Sequence, residues 1–159
     1  MNLVVADVIQ ADSGLALQIG SEQVAITPAS LAARPALSSF AGKTVVLGLR
    51  SEDMEDASLP SAAGMPSRLH AKVTLTEALG SEVIVHFTFV GQTYVSEDTK
   101  LLQKEVGAEE LHTLEDAGVK WVASFGPRSR VRMGDTVEIA LDLDRAHYFD
   151  PETSEAIRT

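Results

Sequence analysis

The sequence predicts a mainly β fold of antiparallel strands with one or two short helices. Short runs of β-prone residues alternate with turn residues from the N-terminus onward. Between residues 68 and 90, apolar and polar residues alternate with the period of two that is typical of half-buried strands. Residues 96–120 break this pattern because they are rich in Glu, Leu, Lys and Ala, and they predict one or two short amphipathic helices.

The first part of the chain combines short strands with helical turns. Turn residues separate three predicted strands, at residues 3–9, 15–19 and 24–26. Residues 28–42 carry Pro28 and Pro35 where a helix can begin, which predicts one or two helical turns. A buried strand follows at residues 44–49. Residues 52–66 then predict an exposed loop that begins with a solvated acidic run.

A hairpin is predicted over residues 68–90, with its turn at Leu79-Gly80-Ser81. The apolar side chains of its first strand are expected to share one face: Ala71, Val73 and Leu75. Strand character returns towards the C-terminus, at residues 119–125, 131–132 and 136–143. Trp121 is the single tryptophan, and its position in a β-prone run predicts that it lies in the core.

The composition excludes several classes of function. The formal net charge of −10 repels phosphate backbones and anionic lipids, so we expect neither nucleic-acid binding nor direct membrane insertion. The chain has no cysteine, which excludes disulfides, thiolate metal sites and cysteine nucleophiles. The N-terminus lacks the basic and apolar regions of a signal peptide, and no apolar run is long enough for a membrane span. These features predict a cytoplasmic protein.

No motif predicts catalysis, a metal or a cofactor. Gly42-Lys43-Thr44 is similar to the end of a phosphate-binding loop, but Leu37 stands where that loop needs its first glycine. A β-prone run follows where the loop needs a helix, so we interpret the segment as a turn. The four histidines lack metal-ligand spacing, and no serine lies in G-x-S-x-G.

Two groups of charged residues are candidate contacts. Arg50 and Glu52 follow the predicted strand at residues 44–49 and can form an ion pair or a ligand contact at its end. A modest basic stripe alternates along an extended segment, and we expect it to pair with the protein's own carboxylates rather than with an anionic ligand: Arg128, Arg130 and Arg132.

Several segments, in this order, resemble the C-terminal regulatory region of the ATP-binding proteins of sugar and glycerol-phosphate importers. After the opening Met1-Asn2-Leu3, the matching segments are residues 42–52 for G-x-x-V-x-L-G-I-R-P-E, residues 73–80 for V-x-x-x-E-x-L-G, and residues 132–153 for G-D-x-V and R-x-H-x-F-D-x-x-T-G. The resemblance covers nearly the whole chain. It departs from the family at Ser51, which replaces a proline, and at residues 96–120, which exceed the usual hairpin.

The resemblance implies a TOBE-type fold, with OB-like Greek-key barrels of antiparallel strands. It implies one regulatory domain over residues 1–159, or two lobes formed by residues 1–50 with the C-terminal strands and by residues 68–125. In the family an upstream ATPase domain carries the Walker A, signature and Walker B motifs. These motifs are absent here, so the chain is expected to be non-catalytic.

The implied function is that of a regulatory and dimerisation domain in the ATP-binding subunit of a sugar-import ABC transporter. The implied partners are its own ATPase domain, a second copy of the subunit and, indirectly, the membrane subunits at the inner face of the cell membrane. An isologous contact needs an apolar or tightly hydrogen-bonded patch. The candidates lie at a strand end and on a hairpin: Arg50, Glu52, Glu77, Leu79 and Gly80.

A different class of function remains open on sequence grounds. A free-standing OB-like module could bind a small oxyanion or a sugar through amides, hydroxyls or cations gathered at a subunit interface. The negative net charge argues mildly against the oxyanion. A small β-barrel enzyme is disfavoured because no nucleophile and base motif is present.

Overall fold

A computed structural model describes residues 1–94 and 118–158. Within these residues, the strands are β1 Asn2–Ala11, β2 Gly14–Ile19, β3 Glu22–Ala25, β4 Thr44–Leu49, β5 Met54–Asp56, β6 Ser67–Ala78, β7 Val83–Phe89, β8 Val119–Phe125, β9 Thr136–Leu141 and β10 His147–Phe149. The helix α1 spans Pro28–Ala33, and short 3-10 helices span Pro35–Phe40, Ser51–Asp53, Pro60–Ala62 and Leu143–Arg145.

The first sheet has the antiparallel order β10-β4-β1-β2-β3. Strand β4 lies between β10 and β1, and it is buried from Val45 to Leu49. The helix α1 follows β3 and begins with Pro28 in its first turn. The hydroxyl of Thr27 caps this helix by accepting a hydrogen bond from the Ser30 amide at 3.0 Å.

The second sheet has the order β5-β9-β6-β7-β8. Strands β6, β7 and β8 form a meander, and β9 returns to pair with β6, which is a Greek-key connection. The sheet curls so that its two edge strands approach each other. The Glu55 carboxylate of β5 closes this gap by accepting a hydrogen bond from the Gly126 amide, just beyond β8, at 2.9 Å.

The two sheets share one hydrophobic core. Its centre contains an aromatic cluster in which Phe89 meets Trp121 edge to face, with 5.0 Å between ring centroids. Trp121 is 2% exposed, and its indole nitrogen donates to the Leu3 carbonyl of the first sheet at 3.2 Å. Burial of each such large side chain stabilises the fold by about 1.5–3 kcal/mol.

The structure confirms the mainly β, OB-like prediction, with antiparallel sheets, a curled half-barrel and short helices. The predicted helical turns in residues 28–42 and the core position of Trp121 are also confirmed. Of the predicted helices at residues 96–120, residues 96–117 lie outside the described residues. Residues 118–120 are described, and Val119 and Lys120 begin strand β8 instead of ending a helix. The described part of the chain contains no helix long and apolar enough to cross a membrane.

The prediction of a solvated acidic run at residues 52–56 is wrong for three of its five residues. Met54 is 1% exposed, Asp53 is 4% exposed and Asp56 is 5% exposed. The reason is that β5 adds to the edge of the second sheet beside β9. The Asp56 carboxylate is stabilised there because Ser58 donates to it from its amide at 3.0 Å and from its hydroxyl at 2.7 Å.

The predicted common face of Ala71, Val73 and Leu75 is also wrong at its last member. A register shift lies between Val73 and Leu75 in the pairing of β6 with β7. Ala71 and Val73 are buried, whereas Leu75 is 45% exposed opposite His86. The apolar and polar residues therefore keep alternating in the sequence past Val73, but the bulge turns Leu75 to the opposite face of the strand from Val73.

Candidate functional site

The strand-end candidates lie on a turn that follows β4. Arg50 and Glu52 are both exposed, and the turn closes through a hydrogen bond from the Asp53 amide to the Arg50 carbonyl at 3.0 Å. The hydroxyl of Ser51 donates to the Val122 carbonyl of β8 at 2.7 Å. Ser51, which replaces the family's proline, therefore ties this turn to the second sheet.

Asp53 is a buried member of this turn that the sequence did not single out. Its carbonyl accepts a hydrogen bond from the Asp142 amide at 2.9 Å, and its Oδ1 lies 3.8 Å from an Arg145 guanidinium nitrogen. Burial raises the pKa of Asp53, and the neighbouring charge of Glu52 raises it further, while Arg145 acts in the opposite direction. The turn over residues 50–53 thus meets the turn over residues 142–145.

The second turn is fixed from its other side by α1 and the residues next to it. The Asp144 carboxylate accepts hydrogen bonds from the hydroxyls of Thr27 at 2.6 Å and Ser30 at 2.7 Å. These two hydrogen bonds lower the pKa of Asp144. Both terminal nitrogens of Arg34 donate to the Asp144 carbonyl at 3.2 Å. The guanidinium group also lies 5.7 Å from the ring centroid of buried Tyr148.

Two of the sequence segments that carry the family resemblance therefore meet in space. Residues 42–52 contain β4, residues 132–153 contain β10, and the two strands pair antiparallel, with Tyr148 opposite Leu47. His147 lies opposite Gly48, where a Cβ atom would approach Met1 Sδ to 2.6 Å and Leu3 Cδ2 to 3.1 Å. We call the meeting point of the turns at residues 50–53 and 142–145 the turn junction.

The hairpin candidates lie at the tip of β6 and β7. Glu77, Leu79 and Gly80 are exposed, and Leu79 is 59% exposed despite its apolar side chain. The tip closes through a hydrogen bond from the Leu79 amide to the Glu82 carbonyl at 2.9 Å. Gly80 has φ +87°, a conformation that favours glycine. Among the described contacts, no hydrogen bond or ion pair joins this tip to Arg50 or Glu52.

The segment Gly42-Lys43-Thr44 is a turn into β4, as the sequence predicts. The Gly42 amide donates to the Val8 carbonyl at 2.7 Å, and the Lys43 amide donates to the Phe40 carbonyl at 2.8 Å. The Thr44 hydroxyl donates to the Asp7 carboxylate at 2.8 Å. The amides that would have to hold phosphate are therefore already bonded, and a strand follows them instead of a helix N-terminus.

No family model matches the chain. It is 25% identical over 119 residues to the oligosaccharides import ATP-binding protein MsmX of Bacillus subtilis, which covers 75% of this chain and 25% of that protein. It is 32% identical over 119 residues to the trehalose/maltose import ATP-binding protein MalK of Thermococcus litoralis, with 74% and 25% covered. It is 30% identical over 113 residues to the trehalose import ATP-binding protein SugC of Mycobacterium tuberculosis, with 70% and 28% covered.

The chain is similar to these import ATP-binding proteins over 70–75% of its own length. This similarity confirms the resemblance that the ordered motifs indicate. The chain spans about a quarter of the length of the import ATP-binding proteins it matches. The described residues contain no group of three or more His, Asp or Glu side chains placed to hold a metal ion.

Sequence reasoning missed the residues that hold the turn junction together. No local motif marks Asp53, Asp144 or the two hydroxyl donors, Thr27 and Ser30. Thr27 and Asp144 are separated by 117 positions in the sequence. One signal was available, because Thr27-Pro28 has the residue types of a helix N-terminus, where the threonine hydroxyl takes part in hydrogen bonds. Which partners these are depends on the pairing of β10 with β4, which the sequence alone does not give.

Proposed function

We propose that residues 1–159 form a regulatory and dimerisation domain of the ATP-binding subunit of a sugar-import ABC transporter, and that this domain is itself non-catalytic. The observation that carries the proposal is the antiparallel pairing of β4 with β10. The segments that resemble the import ATP-binding proteins are not scattered over the surface, because residues 42–52 and 132–153 pair through β4 and β10. A shared structural unit explains why those segments resemble the relatives together.

The partners in this proposal are the subunit's own ATPase domain, a second copy of the subunit and, indirectly, the membrane subunits. The domain would lie in the cytoplasm, peripheral to the inner face of the membrane. The relatives are named for the import of oligosaccharides, trehalose/maltose or trehalose. These names support a carbohydrate as the imported substrate. They favour this function over a free-standing module for oxyanion or sugar binding.

The proposed dimer contact includes Glu77, Leu79 and Gly80 of the hairpin and Arg50 and Glu52 of the turn junction. Leu79 and Leu75 expose apolar surface on the same hairpin, at 59% and 45%. Such surface is stabilised by burial against a second copy. The contact is weak in this chain alone, because the proposal assigns the rest of the dimer interface to the ATPase domain.

Sedimentation velocity over a concentration series tests this contact. The variant Leu79→Glu is expected to abolish concentration-dependent self-association because it places a carboxylate in the apolar contact. The matched control is Met133→Glu, which makes the same kind of change at a side chain that is 70% exposed on another loop. The hairpin is excluded from the interface if both variants sediment like the wild type, or if the control loses association equally.

A second test concerns the absence of catalysis. The chain is expected neither to bind nor to hydrolyse ATP, because the amides of residues 42 and 43 are bonded within the fold. Thermal unfolding with and without Mg-ATP measures this directly, since a ligand that binds only the folded state raises the unfolding temperature. A reproducible rise with ATP would contradict the non-catalytic assignment and leave the dimer contact untouched.

A further inference from the structure

Strand β6 extends beyond one of its two neighbours. Strand β7 pairs with it as far as Ala78, whereas β9 pairs with it only as far as Lys72. The chain that precedes β9 makes its last contact with β6 at Val73, whose carbonyl accepts a hydrogen bond from the Gly134 amide at 2.8 Å. Within residues 1–94 and 118–158, no strand pairs with this side of β6 beyond Val73. Residues 74–78 therefore have one open edge.

The register of the hairpin shows which backbone groups face the open edge. In an antiparallel pair, alternate residues bond the partner strand, and the residues between them point away from it. The hairpin closes with a hydrogen bond from the Leu79 amide to the Glu82 carbonyl, so every second residue before Leu79 bonds β7. The residues between them, Thr76 and Ala78, point their amide and carbonyl groups to the open edge. Among the described residues, no other element donates to or accepts from these four groups.

The side chains along this edge are exposed and nearly uncharged. Leu75 is 45% exposed, and Leu79 is 59% exposed. Glu77, midway between them, is the single charged residue of the segment 74–79. Edge strands are commonly protected against pairing by lysine or proline. The segment contains neither, so its edge is suited to pairing with another strand.

The pattern along the edge is symmetric about Glu77. Open backbone groups lie one residue to either side of it, and exposed leucines lie two residues to either side. An antiparallel pair about a two-fold axis at Glu77 places Thr76 of each copy opposite Ala78 of the other, which bonds all four open groups of both copies. The same register places Leu75 of each copy opposite Leu79 of the other. This symmetry fits a second copy of the chain, because an identical edge supplies the same groups and side chains in reverse order.

We propose that the open edge of β6 pairs antiparallel with the same edge of a second copy, which joins the second sheets of the two copies into one continuous sheet. The proposal rests on the proposed dimerisation function and gives the hairpin contact its geometry. Main-chain hydrogen bonds supply the affinity in such strand addition. The two Glu77 side chains lie opposite each other at the axis, and their like charges keep the association weak.

Sedimentation velocity with two variants of Thr76 tests the backbone pairing. Thr76→Pro removes the amide that faces the open edge and no hydrogen bond between β6 and β7. The matched control is Thr76→Val, which keeps the amide and a branched side chain. Thr76→Pro is expected to self-associate at least about tenfold more weakly than Thr76→Val.

These variants separate strand pairing from a contact of side chains alone. If Thr76→Pro and Thr76→Val associate equally, the strand pairing is overturned. A loss of association in Leu79→Glu would then still support the proposed dimer contact. If the wild type does not associate at any concentration, the strand pairing is overturned together with the dimer contact.

Amide hydrogen exchange of the wild type, measured by NMR, gives the same test without a variant that could misfold. The amides of Thr76 and Ala78 are expected to exchange at least about fivefold more slowly at high protein concentration than at low concentration. The Glu77 amide bonds β7 and is expected to exchange slowly at both. Exchange of Thr76 and Ala78 that does not depend on concentration overturns the proposal, whether it is fast because the edge stays open or slow because the chain itself covers the edge.

Disulfide cross-linking tests the register, because the chain has no cysteine of its own. Opposite residues of a non-hydrogen-bonded antiparallel pair have Cα atoms about 4.5 Å apart, a distance that a disulfide can span. Glu77→Cys is therefore expected to form a covalent dimer under mild air oxidation. The control Lys72→Cys changes an exposed side chain of the same strand that lies far from the axis, and it is expected to stay monomeric. Equal cross-linking of the two variants, or none in Glu77→Cys, overturns the proposed pairing.

Discussion

Asp53 and Asp144 hold the same turn junction under opposite electrostatic conditions. Asp53 is buried, a guanidinium nitrogen of Arg145 lies 3.8 Å from its carboxylate, and burial raises its pKa. Asp144 is exposed, accepts two hydroxyl hydrogen bonds and has a lowered pKa. Ionisation of the Asp53 carboxylate therefore destabilises the fold, whereas ionisation of the nearby Asp144 carboxylate stabilises it.

The variant Asp53→Asn tests the cost of the buried charge. Because the pKa is raised in the folded state, the unfolded chain releases its proton first, and stability falls as the pH rises above about 4. We expect Asp53→Asn to be more stable than the wild type by up to about 1 kcal/mol near pH 7, with no difference near pH 3. Urea unfolding at the two pH values measures this. A large loss at neutral pH would mean that the Arg145 pair outweighs burial.

The variant Asp144→Asn is expected to respond in the opposite direction. Because the pKa of Asp144 is lowered in the folded state, its contribution is present above about pH 4 and is lost as the pH falls through the folded pKa. Solvent screens this exposed site, so the expected loss near neutral pH is about 1 kcal/mol. The same unfolding series measures it. A difference from the wild type that does not shrink in acid would contradict the role of the ionised carboxylate.

The exposed members of the candidate site could be predicted from the sequence, but its buried members could not. Arg50 and Glu52 follow a recognisable strand, and Leu79 and Gly80 occupy a recognisable turn. Asp53 belongs to an acidic run, and such runs are usually solvated. Its burial follows from the addition of β5 to β9, a pairing between residues more than eighty positions apart. Nothing local in the sequence indicates that partner.

Strands could be predicted where their pattern is local, and the bulge in β6 shows the limit of that method. The two ends of β6 alternate correctly in the sequence, but the register shift between Val73 and Leu75 reverses which side faces the core. A bulge depends on the partner strand as well as on its own residues. The same reversal places Leu75 on the exposed side of the hairpin that carries Leu79.

Alanine variants on either side of this bulge give different expected results. Val73→Ala leaves a cavity in the core, since Val73 is 1% exposed, and is expected to cost about 2 kcal/mol. Leu75→Ala removes a larger side chain that is 45% exposed and is expected to cost less than about 1 kcal/mol. Chemical unfolding compares the two. A greater loss for Leu75→Ala would contradict the bulge and support an unbroken alternation.

The two sheets are joined at opposite sides of the shared core. On one side, the Asn2 side chain donates to the Val122 carbonyl at 2.9 Å and accepts from the Val122 amide at 3.0 Å. On the other side, the Ser67 hydroxyl donates to the Ala25 carbonyl at 2.8 Å. Between them lies the hydrophobic cluster that both sheets contribute. These links predict that the sheets unfold as one cooperative unit.

The variant Asn2→Ala tests this cooperativity. It removes the acceptor of the Val122 amide, whereas the Val122 carbonyl keeps its hydrogen bond from Ser51, and it is expected to cost about 1–3 kcal/mol. Trp121 fluorescence reports on the second sheet, whereas far-UV circular dichroism reports on both, and the two transitions are expected to shift together. Gln10→Ala is the matched control, because the one hydrogen bond of this exposed β1 side chain within the described residues goes to the carbonyl of its neighbour Ala11, at 3.4 Å. If the fluorescence transition moved while much of the dichroism signal stayed behind, the sheets would unfold separately, and the Asn2 link would stabilise only one of them.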